Sequence, residues 1–220
     1  MPGVLGDPKL ESLLDALHAR SKAQESEAEH YWETRTGPWR GMEPRDHAFL
    51  SDKLVALDRD KAEFCYLTCR AIGARRIVEA GTSFGVSTLY LAAAARDNGG
   101  GIVIGAENEP AKVAAARANF EAAGLSRFVD LHEGDLTEVL ATIEGPVDFV
   151  LFDVWGHVVR PVLDLLAPHL RSGAVICTDN TGGARQGYAD LFEVIGDPAH
   201  GFRTMTLPFD GGFEMTVKVG

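Results

Sequence analysis

The stretch EAGTSFGVS at residues 79–87 has the residue types of a ligand-binding turn. Glycines at positions 81 and 85 allow the backbone to turn tightly and to approach a ligand closely. The spacing is not that of the Gly-x-Gly-x-x-Gly dinucleotide fingerprint, and two glycines alone are equally compatible with an ordinary turn between a strand and a helix. The residues of this turn that we expect to contact a ligand are Glu79, Gly81, Thr82, Ser83 and Ser87.

Two further positions along the chain favour a nucleotide-like ligand. Glu107 directly follows the next apolar run, where a carboxylate can accept hydrogen bonds from both hydroxyls of a ribose. Gly134 and Asp135 follow the third apolar run at the matching place, where the edge of an adenine could be met. Each position alone is a weak signal, but the three in series predict a site for an adenosyl ligand.

Oxygen-bearing side chains end the next two apolar runs. Asp153 follows the fourth run, and Asp179 and Asn180 follow the fifth. Two carboxylates and an amide oxygen suit Mg²⁺, with waters or substrate completing its octahedral coordination. Acids at strand ends are also common as caps of the following helix, so a structural role stays open for each residue.

The same turn also fits a Gly-x-Ser-x-Gly nucleophile elbow, with Ser83 at its centre. Asp153 or Asp179, followed by His200, would then complete a catalytic triad in the chain order of the α/β-hydrolases. Such an elbow needs a preceding strand and loop to supply an oxyanion donor, whereas residues 1–75 are mostly helical in pattern. It would also leave the acid of the ribose position without a role, so we favour the adenosyl site.

Strand and helix patterns alternate from Arg76 onward, as expected for a parallel sheet covered by helices. Two alternating stretches near the end, 202–207 and 213–219, are joined by an Asp-Gly-Gly turn and predict a hairpin. The fold class is therefore α/β, a doubly wound, mostly parallel seven-stranded sheet that binds ligands at the carboxyl ends of its strands. The predicted strands of the parallel part are 76–80, 102–106, 128–132, 147–152 and 174–178.

The first 50 residues differ in pattern from the rest. Asp7 and Pro8 are a good helix start, and leucines at four following positions mark one helical face. Residues 31–45 mix aromatics, Gly, Pro and Arg without a period, which predicts an irregular segment. We therefore expect a helical arm with an irregular segment at residues 1–50, and a ligand-binding domain at residues 51–220.

The composition excludes several function classes. The 21 Lys and Arg against 32 Asp and Glu give a formal charge of −11, whereas a nucleic-acid binder usually carries a basic excess or stripe. No run approaches the roughly 18 apolar residues of a membrane span, and the amino terminus lacks the basic and apolar regions of a signal peptide. The three cysteines cannot pair completely and should be reduced. We expect a cytoplasmic protein that binds neither nucleic acid nor membrane.

Together these motifs resemble the class I S-adenosylmethionine-dependent O-methyltransferases, over roughly residues 50–220. The resemblance is to the small, cation-dependent catechol and caffeoyl-CoA branch, including its bacterial members. The motifs are individually loose, but their order and spacing agree across five strands. They are the turn at 79–87, ENEP at 107–110, AAGL at 122–125, Gly134-Asp135, and Asp153 with Asp179-Asn180.

The resemblance implies methyl transfer from S-adenosylmethionine to a phenolic or enolic hydroxyl of a small molecule, assisted by a divalent cation such as Mg²⁺. It also implies that residues 58–64 help to cover the site, and we expect a homodimer. The metal ligands carried over from the family are Asp153, Asp179 and Asn180. The cofactor-binding residues carried over are Glu79, Gly81, Thr82, Ser83, Ser87, Glu107, Gly134, Asp135 and Asp153.

One position departs from the family pattern. Many relatives carry a lysine, regarded as the general base, three residues after the first metal aspartate, and here that residue is Gly156. His157 is one residue further along and becomes the candidate catalytic base beside Asp153, because histidine exchanges protons near neutral pH. A capping or surface role is the alternative for this histidine. The departure also keeps a second hypothesis open, a methyltransferase-fold protein that binds the cofactor but is repurposed or regulatory.

Aromatic residues near the acid positions are suited to an aromatic acceptor. Trp155 lies two residues after Asp153 and would form a wall of the acceptor site. Tyr31, Trp32 and Trp39 in the irregular segment would form either a lid over that wall or a dimer contact. Ordinary packing is the alternative for each of these rings.

Overall fold

A seven-stranded sheet forms the centre of the protein in the computed structural model, which describes residues 3–36, 43–182 and 185–220. Its strands are β1 (Arg76–Ala80), β2 (Ile102–Glu107), β3 (Val129–Glu133), β4 (Val147–Phe152), β5 (Leu170–Asp179), β6 (Phe202–Leu207) and β7 (Phe213–Lys218). They lie in the order β3-β2-β1-β4-β5-β7-β6, with parallel neighbours except at β5–β7 and β7–β6. The predicted mostly parallel sheet with a terminal antiparallel hairpin is confirmed.

Helices cover both faces of this sheet. They are α1 (Pro8–Lys22), α2 (Glu25–Thr34), α3 (Pro44–Leu50), α4 (Arg59–Ala71), α5 (Val86–Asp97), α6 (Pro110–Ala123), α7 (Leu136–Leu140), α8 (Gly156–Leu166) and α9 (Ala189–Ile195). Buried side chains of α1, α4, α5 and α6 share one apolar cluster with one sheet face, and those of α8 and α9 share a second cluster with the other. The three layers are those of a doubly wound fold.

The strand register brings the candidate site residues to one edge of the sheet. Ala80, the last residue of β1, pairs with Ala106 of β2 and with Phe152 of β4, and Phe152 in turn pairs with Thr178 of β5. Residues that follow these positions therefore emerge side by side. They are Glu107, Asp153 and Asp179.

The amino-terminal arm shares a core with the rest of the molecule. As predicted, α1 is capped by Asp7, whose carboxylate accepts a hydrogen bond from the Leu10 backbone N–H (3.2 Å). Three leucines of α1 are buried in the same cluster as one face of the sheet. Part of the segment predicted to be irregular is helical, because α2 continues to Thr34 and α3 begins at Pro44. The predicted boundary at residue 50 therefore lies between two parts of the chain that share one core.

Two other differences from the sequence-based elements have local causes. The sequence pattern predicts one helix over residues 158–170, but α8 ends at Leu166, because Pro168 has no backbone N–H to continue it. The chain passes through a single 3₁₀ turn and enters β5 at Leu170, four residues before the predicted start. Helix α9 was not predicted.

No described helix combines the length and the apolar composition that a bilayer span requires.

Candidate active site

The turn between β1 and α5 has a backbone that requires glycine. Gly81 has φ +96°, and a Cβ on it would lie 2.2 Å from the Asp153 carbonyl oxygen. Gly85 and Ser83 also have positive φ, at +78° and +48°. Any side chain at 81 would collide with the neighbouring strand end, so the glycine keeps the turn against the end of β4.

Glu79 lies buried beneath this turn. Its Oε2 accepts hydrogen bonds from the hydroxyls of Thr82 (3.1 Å) and Thr88 (2.5 Å), whereas Oε1 has no partner among the described residues. Burial raises the pKa of Glu79 above its ordinary value, and the hydroxyls of Thr88, Ser87 and Thr82 act in the opposite sense. A buried acceptor without a donor is costly in a folded protein, and a bound ligand with an N–H group would satisfy it.

Glu107 joins two loops at the end of β2. Its Oε2 accepts a hydrogen bond from the Ser83 backbone N–H (2.9 Å). Its Oε1 accepts from the backbone N–H groups of Asn108 and Glu109, both at 2.9 Å. A carboxylate offers about four lone-pair sites, so these three bonds fix its orientation and leave capacity for a ligand hydroxyl.

The residues after β3 have a capping role in the structure. The Gly134 backbone N–H donates to the Glu107 carbonyl (3.0 Å) and joins this loop to the previous one. The exposed Asp135 caps α7 by accepting hydrogen bonds from the backbone of Thr137 (2.9 Å) and Glu138 (3.1 Å). Its hydrogen bond from the Thr137 hydroxyl lowers the pKa of Asp135. The adenine contact predicted for this loop stays a prediction.

A strap formed by residues 54–57 lies against the turn and was missed by sequence reasoning, which placed the cover at residues 58–64. The strap lines a narrow cleft together with residues 81–84, Val86, Ser87 and Asp153. Its backbone is held by α1 and α2, since Leu54 N–H donates to Gln24 Oε1 (2.8 Å) and Ala56 N–H to Ser21 Oγ (3.1 Å). Nothing in its local sequence distinguishes it from an ordinary apolar linker.

The acid positions after β4 and β5 do come together, and a lysine lies among them. Lys61, in the first turn of α4, has a side chain only 1% exposed, and its Nζ donates to Asp179 Oδ1 at 2.7 Å. The same Nζ lies 2.9 Å from Asp58 Oδ2. The other oxygen of Asp179 accepts a hydrogen bond from Asn180 Nδ2 (2.9 Å). Sequence analysis included Lys61 only within the covering segment 58–64 and gave it no role of its own.

Burial and neighbouring charges together set the pKa values of this cluster. Burial raises the pKa of Asp153 well above its ordinary value, and the charges of Asp179 and Glu79 act in the same sense. Burial also raises the pKa of Asp179, against the hydrogen bond and the charge of Lys61. Burial alone would lower the pKa of Lys61, but its bonds to Asp179 and Asp58 outweigh this and raise it. The lysine therefore carries a stable positive charge.

These residues do not fit a divalent metal ion as they are arranged. Mg²⁺ requires near-octahedral oxygen ligands at about 2.0–2.1 Å. Both oxygens of Asp179 are engaged by nitrogen donors, and one of these donors is a cation that would repel a metal. Within the described ranges, no three His, Cys, Asp or Glu side chains form a metal-binding group. The predicted ligands are neighbours, but their contacts do not support magnesium.

The position of the missing lysine is closed by the backbone. A Cβ on Gly156 would lie 2.4 Å from the Gly187 carbonyl oxygen, so no side chain fits there unless the turn before α9 moves. His157, the candidate base, is exposed in the first turn of α8 and makes no hydrogen bond to Asp153 or Asp179. Its catalytic role stays a prediction.

Two aromatic residues predicted to enclose an acceptor are in contact. The rings of Trp32 and Trp155 are 5.7 Å apart at 60°, so the end of α2 lies beside the loop after β4. Tyr31 stacks on Phe49 of α3, with ring centroids 3.9 Å apart. Trp39 lies outside the described residues. The contact is compatible with a lid and with ordinary packing, so the lid stays a prediction, and Trp155 remains 37% exposed.

The register excludes the hydrolase alternative. β7 is antiparallel to β5, and β6 is antiparallel to β7, so β6 begins at the edge of the sheet opposite to the turn of Ser83. His200 lies just before β6, with its imidazole exposed. It therefore cannot serve as the base of Ser83.

Comparison with known proteins identifies the relatives of this chain. Residues 78–181 match a family described as a methyltransferase domain. The catechol O-methyltransferase of Mycobacterium tuberculosis is 33% identical over 127 residues, which are 57% of this chain and 57% of that relative. The match thus spans little more than half the length of the curated relative.

Solved structures share the fold over almost the whole chain. The cofactor-bound protein Rv0187 from MTB has a TM-score of 0.72 at 26% identity, covering 97% of this chain and 91% of that chain. The O-methyltransferase from Bacillus cereus, in complex with SAH, has a TM-score of 0.65 at 24% identity, covering 96% and 91%. The second of these structures is only 24% identical, so its similarity to this chain shows the fold alone.

Proposed function

We propose that the chain transfers the methyl group of S-adenosylmethionine to a hydroxyl oxygen of a small molecule, because it is similar to a methyltransferase domain family and to catechol O-methyltransferases. The observation that carries the proposal is the pair of carboxylates, Glu79 and Glu107, on either side of the turn at residues 81–87. Doubly wound sheets bind their ligands at this edge.

The turn suits the cofactor in charge and in shape. Oε1 of Glu79 is buried without a donor, so it can accept a hydrogen bond from the ammonium group of the methionine part. Glu107 has about one lone-pair site left, which can accept a hydrogen bond from a ribose hydroxyl. Gly81 allows the backbone to lie close to the ligand, with Thr82, Ser83 and Ser87 lining the same turn. S-adenosylmethionine, when bound, supplies a methyl group on a positively charged sulfur.

The chemical step depends mainly on orientation. The bond from the acceptor oxygen to the methyl carbon forms as the carbon–sulfur bond breaks, so the three atoms must lie in line. The sulfonium becomes a neutral thioether, and the hydroxyl loses its proton. Residues that hold both molecules at the ends of β1, β4 and β5 remove much of the entropic barrier.

The acceptor proposed is a small phenol or enol. A phenol with a pKa of about 10 is a poor nucleophile at neutral pH unless a nearby positive charge stabilises its anion. The acid and lysine cluster lies at the edge where the methyl group would be presented, and Trp155 with Trp32 lies beside it. A planar ring can pack against these indoles, and the curated relative from Mycobacterium tuberculosis is, by its name, a catechol O-methyltransferase.

Two further groups were predicted from the sequence alone. Mg²⁺ was predicted at Asp153, Asp179 and Asn180, and an assay in excess chelator tests it directly. His157 is proposed as the proton acceptor, with solvent as the alternative. A homodimer and a cytoplasmic location also stay proposals, the first of which light scattering would test.

The experiment that tests the function is turnover of S-adenosylmethionine with a panel of catechols and other phenols, followed by mass spectrometry of the products. A mass gain of one methyl group on a hydroxyl would support methyl transfer. Calorimetric binding of S-adenosylmethionine without turnover of any acceptor would instead favour the second hypothesis, a repurposed binding protein. That hypothesis is motivated by Gly156, whose contact with Gly187 excludes the usual lysine.

A further inference from the structure

We propose that the ammonium group of Lys61 provides the positive charge of the acceptor site, in place of a divalent metal ion. The inference rests on the proposed function for the position of the acceptor, but its statement about metal binding does not. This lysine lies in the segment 58–64 that the resemblance placed over the site, but no role was assigned to it, and its partner Asp179 is 118 residues away in the chain.

The first argument is position. Lys61 Nζ lies 2.7 Å from one carboxylate of the predicted metal site and 2.9 Å from Asp58, the residue before α4. Its side chain is buried to 99%, and a lysine is almost never buried to this degree unless it is paired. The ammonium is therefore hydrogen-bonded to Asp179, one of the carboxylates that a metal ion would need.

The second argument is the balance of charge. Asp58, Asp153 and Asp179 bring up to three negative charges to this end of the sheet, and Lys61 is the cation in direct contact with two of them. A divalent ion bound to Asp179 would lie close to an ammonium already hydrogen-bonded to that carboxylate. The repulsion of two cations in a buried site disfavours this state strongly.

The third argument is hydrogen-bonding capacity. An ammonium group has three N–H donors, and two of them point to Asp179 and Asp58. The third is engaged by no described residue and is available to the acceptor oxygen. By donating to this oxygen, Lys61 stabilises the phenolate while the proton of the hydroxyl passes to His157 or solvent. The lysine keeps its own protons throughout, so it is an electrostatic partner and not the base.

The test compares metal binding and turnover in three proteins: wild type, Lys61→Met, and Lys53→Met. Lys53 is the matched control, because it also pairs with two carboxylates, Glu27 and Asp52, outside the site. Mn²⁺ is titrated alone and followed by electron paramagnetic resonance, and methyl transfer is measured with and without excess chelator. Lys61→Arg is added, because it keeps the charge if the methionine variant does not fold.

We expect wild type to bind no stoichiometric Mn²⁺ and to keep its rate in chelator within about twofold. Lys61→Met should lose about a hundredfold in kcat, the usual cost of removing one electrostatic donor at a reacting oxygen. Lys61→Arg should retain more activity than the methionine variant, and Lys53→Met should match wild type.

The inference is overturned if wild type binds one Mn²⁺ per chain and loses its activity in chelator. An unchanged kcat in folded Lys61→Met would overturn it as well. If no acceptor is methylated by any of the proteins, the proposed function fails, whereas the Mn²⁺ titration of the wild-type protein still decides whether Lys61 excludes the metal.

Discussion

The buried Glu79 and the half-buried Glu107 differ in how their carboxylates are bonded at this site. Glu79 has an unsatisfied oxygen and lies under the turn, whereas Glu107 is fully oriented by three backbone donors. A carboxylate that is already oriented loses little conformational entropy when it binds a ligand. Glu107 is therefore the residue whose contribution to cofactor affinity is most directly measurable.

Replacing Glu107 by Gln should weaken S-adenosylmethionine binding while the fold is preserved. Hydrogen bonds to a charged group contribute about 1.5–3 kcal/mol, which corresponds to roughly a tenfold to hundredfold loss of affinity. Isothermal titration calorimetry measures it, with Glu121→Gln on the exposed side of α6 as the control. Equal affinity in the two variants would remove the ribose role from Glu107.

His157→Ala tests the proposed base. General-base assistance is worth about 10²–10⁴ in rate, and the exposed position of this imidazole suggests the lower end or less. We expect kcat to fall about tenfold, with the affinity for S-adenosylmethionine unchanged. His200→Ala, at the opposite edge of the sheet, is the control. Wild-type kcat in His157→Ala would assign the proton to solvent.

At the scale of elements, an ion-pair cluster holds the end of α2 and the start of α3 together. Asp46 of α3 is fully buried and accepts hydrogen bonds from Arg35 Nη2 (3.0 Å) and from the Tyr31 hydroxyl (2.7 Å). It also accepts one from the Glu43 backbone N–H (2.8 Å). One carboxylate thus ties the end of α2 to the start of α3, and places Trp32 beside Trp155.

Asp46→Asn should loosen this arm without unfolding the sheet. The amide cannot replace the charge that Arg35 faces, so local opening becomes more frequent. Hydrogen exchange at residues 31–36 and 43–50 should accelerate about tenfold, while exchange in β1 and β4 stays unchanged. Asp52→Asn, at an exposed ion pair, is the control. Equal hydrogen-exchange rates in both variants would show that the cluster does not hold α2 and α3 together.

The same cluster predicts a dependence on pH. Hydrogen bonds from Arg35, with those from Glu43 and Tyr31, hold the pKa of Asp46 far below its ordinary value despite burial. Because the pKa is lower in the folded than in the unfolded chain, the stabilisation is complete well above about pH 3.9 and is lost as the pH falls below it. Tryptophan fluorescence of wild type and Asp46→Asn should therefore converge in acid.

The elements were predictable where their signals are local, and less so where distant residues decide. The apolar run at residues 147–152 forms strand β4 as predicted, and Pro110 begins α6, because strand burial and proline geometry act within a few residues. Glu107 was found because its place after a strand identifies it. Lys61 was not, because a lysine in the first turn of a helix is ordinary until the fold brings Asp179 to it.

At the scale of the whole molecule, all three cysteines lie inside the core. Cys65 and Cys69 of α4 and Cys177 of β5 are buried and unpaired, as expected. Burial raises the pKa of the Cys65 and Cys69 thiols well above the ordinary value, and for Cys65 a hydrogen bond with Cys177 adds to the effect. The thiolate is the reactive form of cysteine, so these residues should be inert in the folded state.

Thiol labelling should therefore report unfolding of the whole domain. Ellman's reagent should modify none of the three cysteines in native protein and all three in denaturant. The labelling rate at intermediate denaturant should follow loss of the sheet measured by circular dichroism. Rapid modification of one thiol under native conditions would instead reveal a local opening of α4.

The contact between Gly156 and Gly187 also constrains how this protein can change over generations. A single substitution that placed lysine at 156 would put its Cβ 2.4 Å from the Gly187 carbonyl oxygen. The present backbone has no room for that side chain. The turn before α9 would have to move first, through a change that brings no benefit by itself. Loss of the lysine is thus easier than its recovery. Descendants of this chain should keep the glycine, and relatives that retain the lysine should differ from it in both segments together.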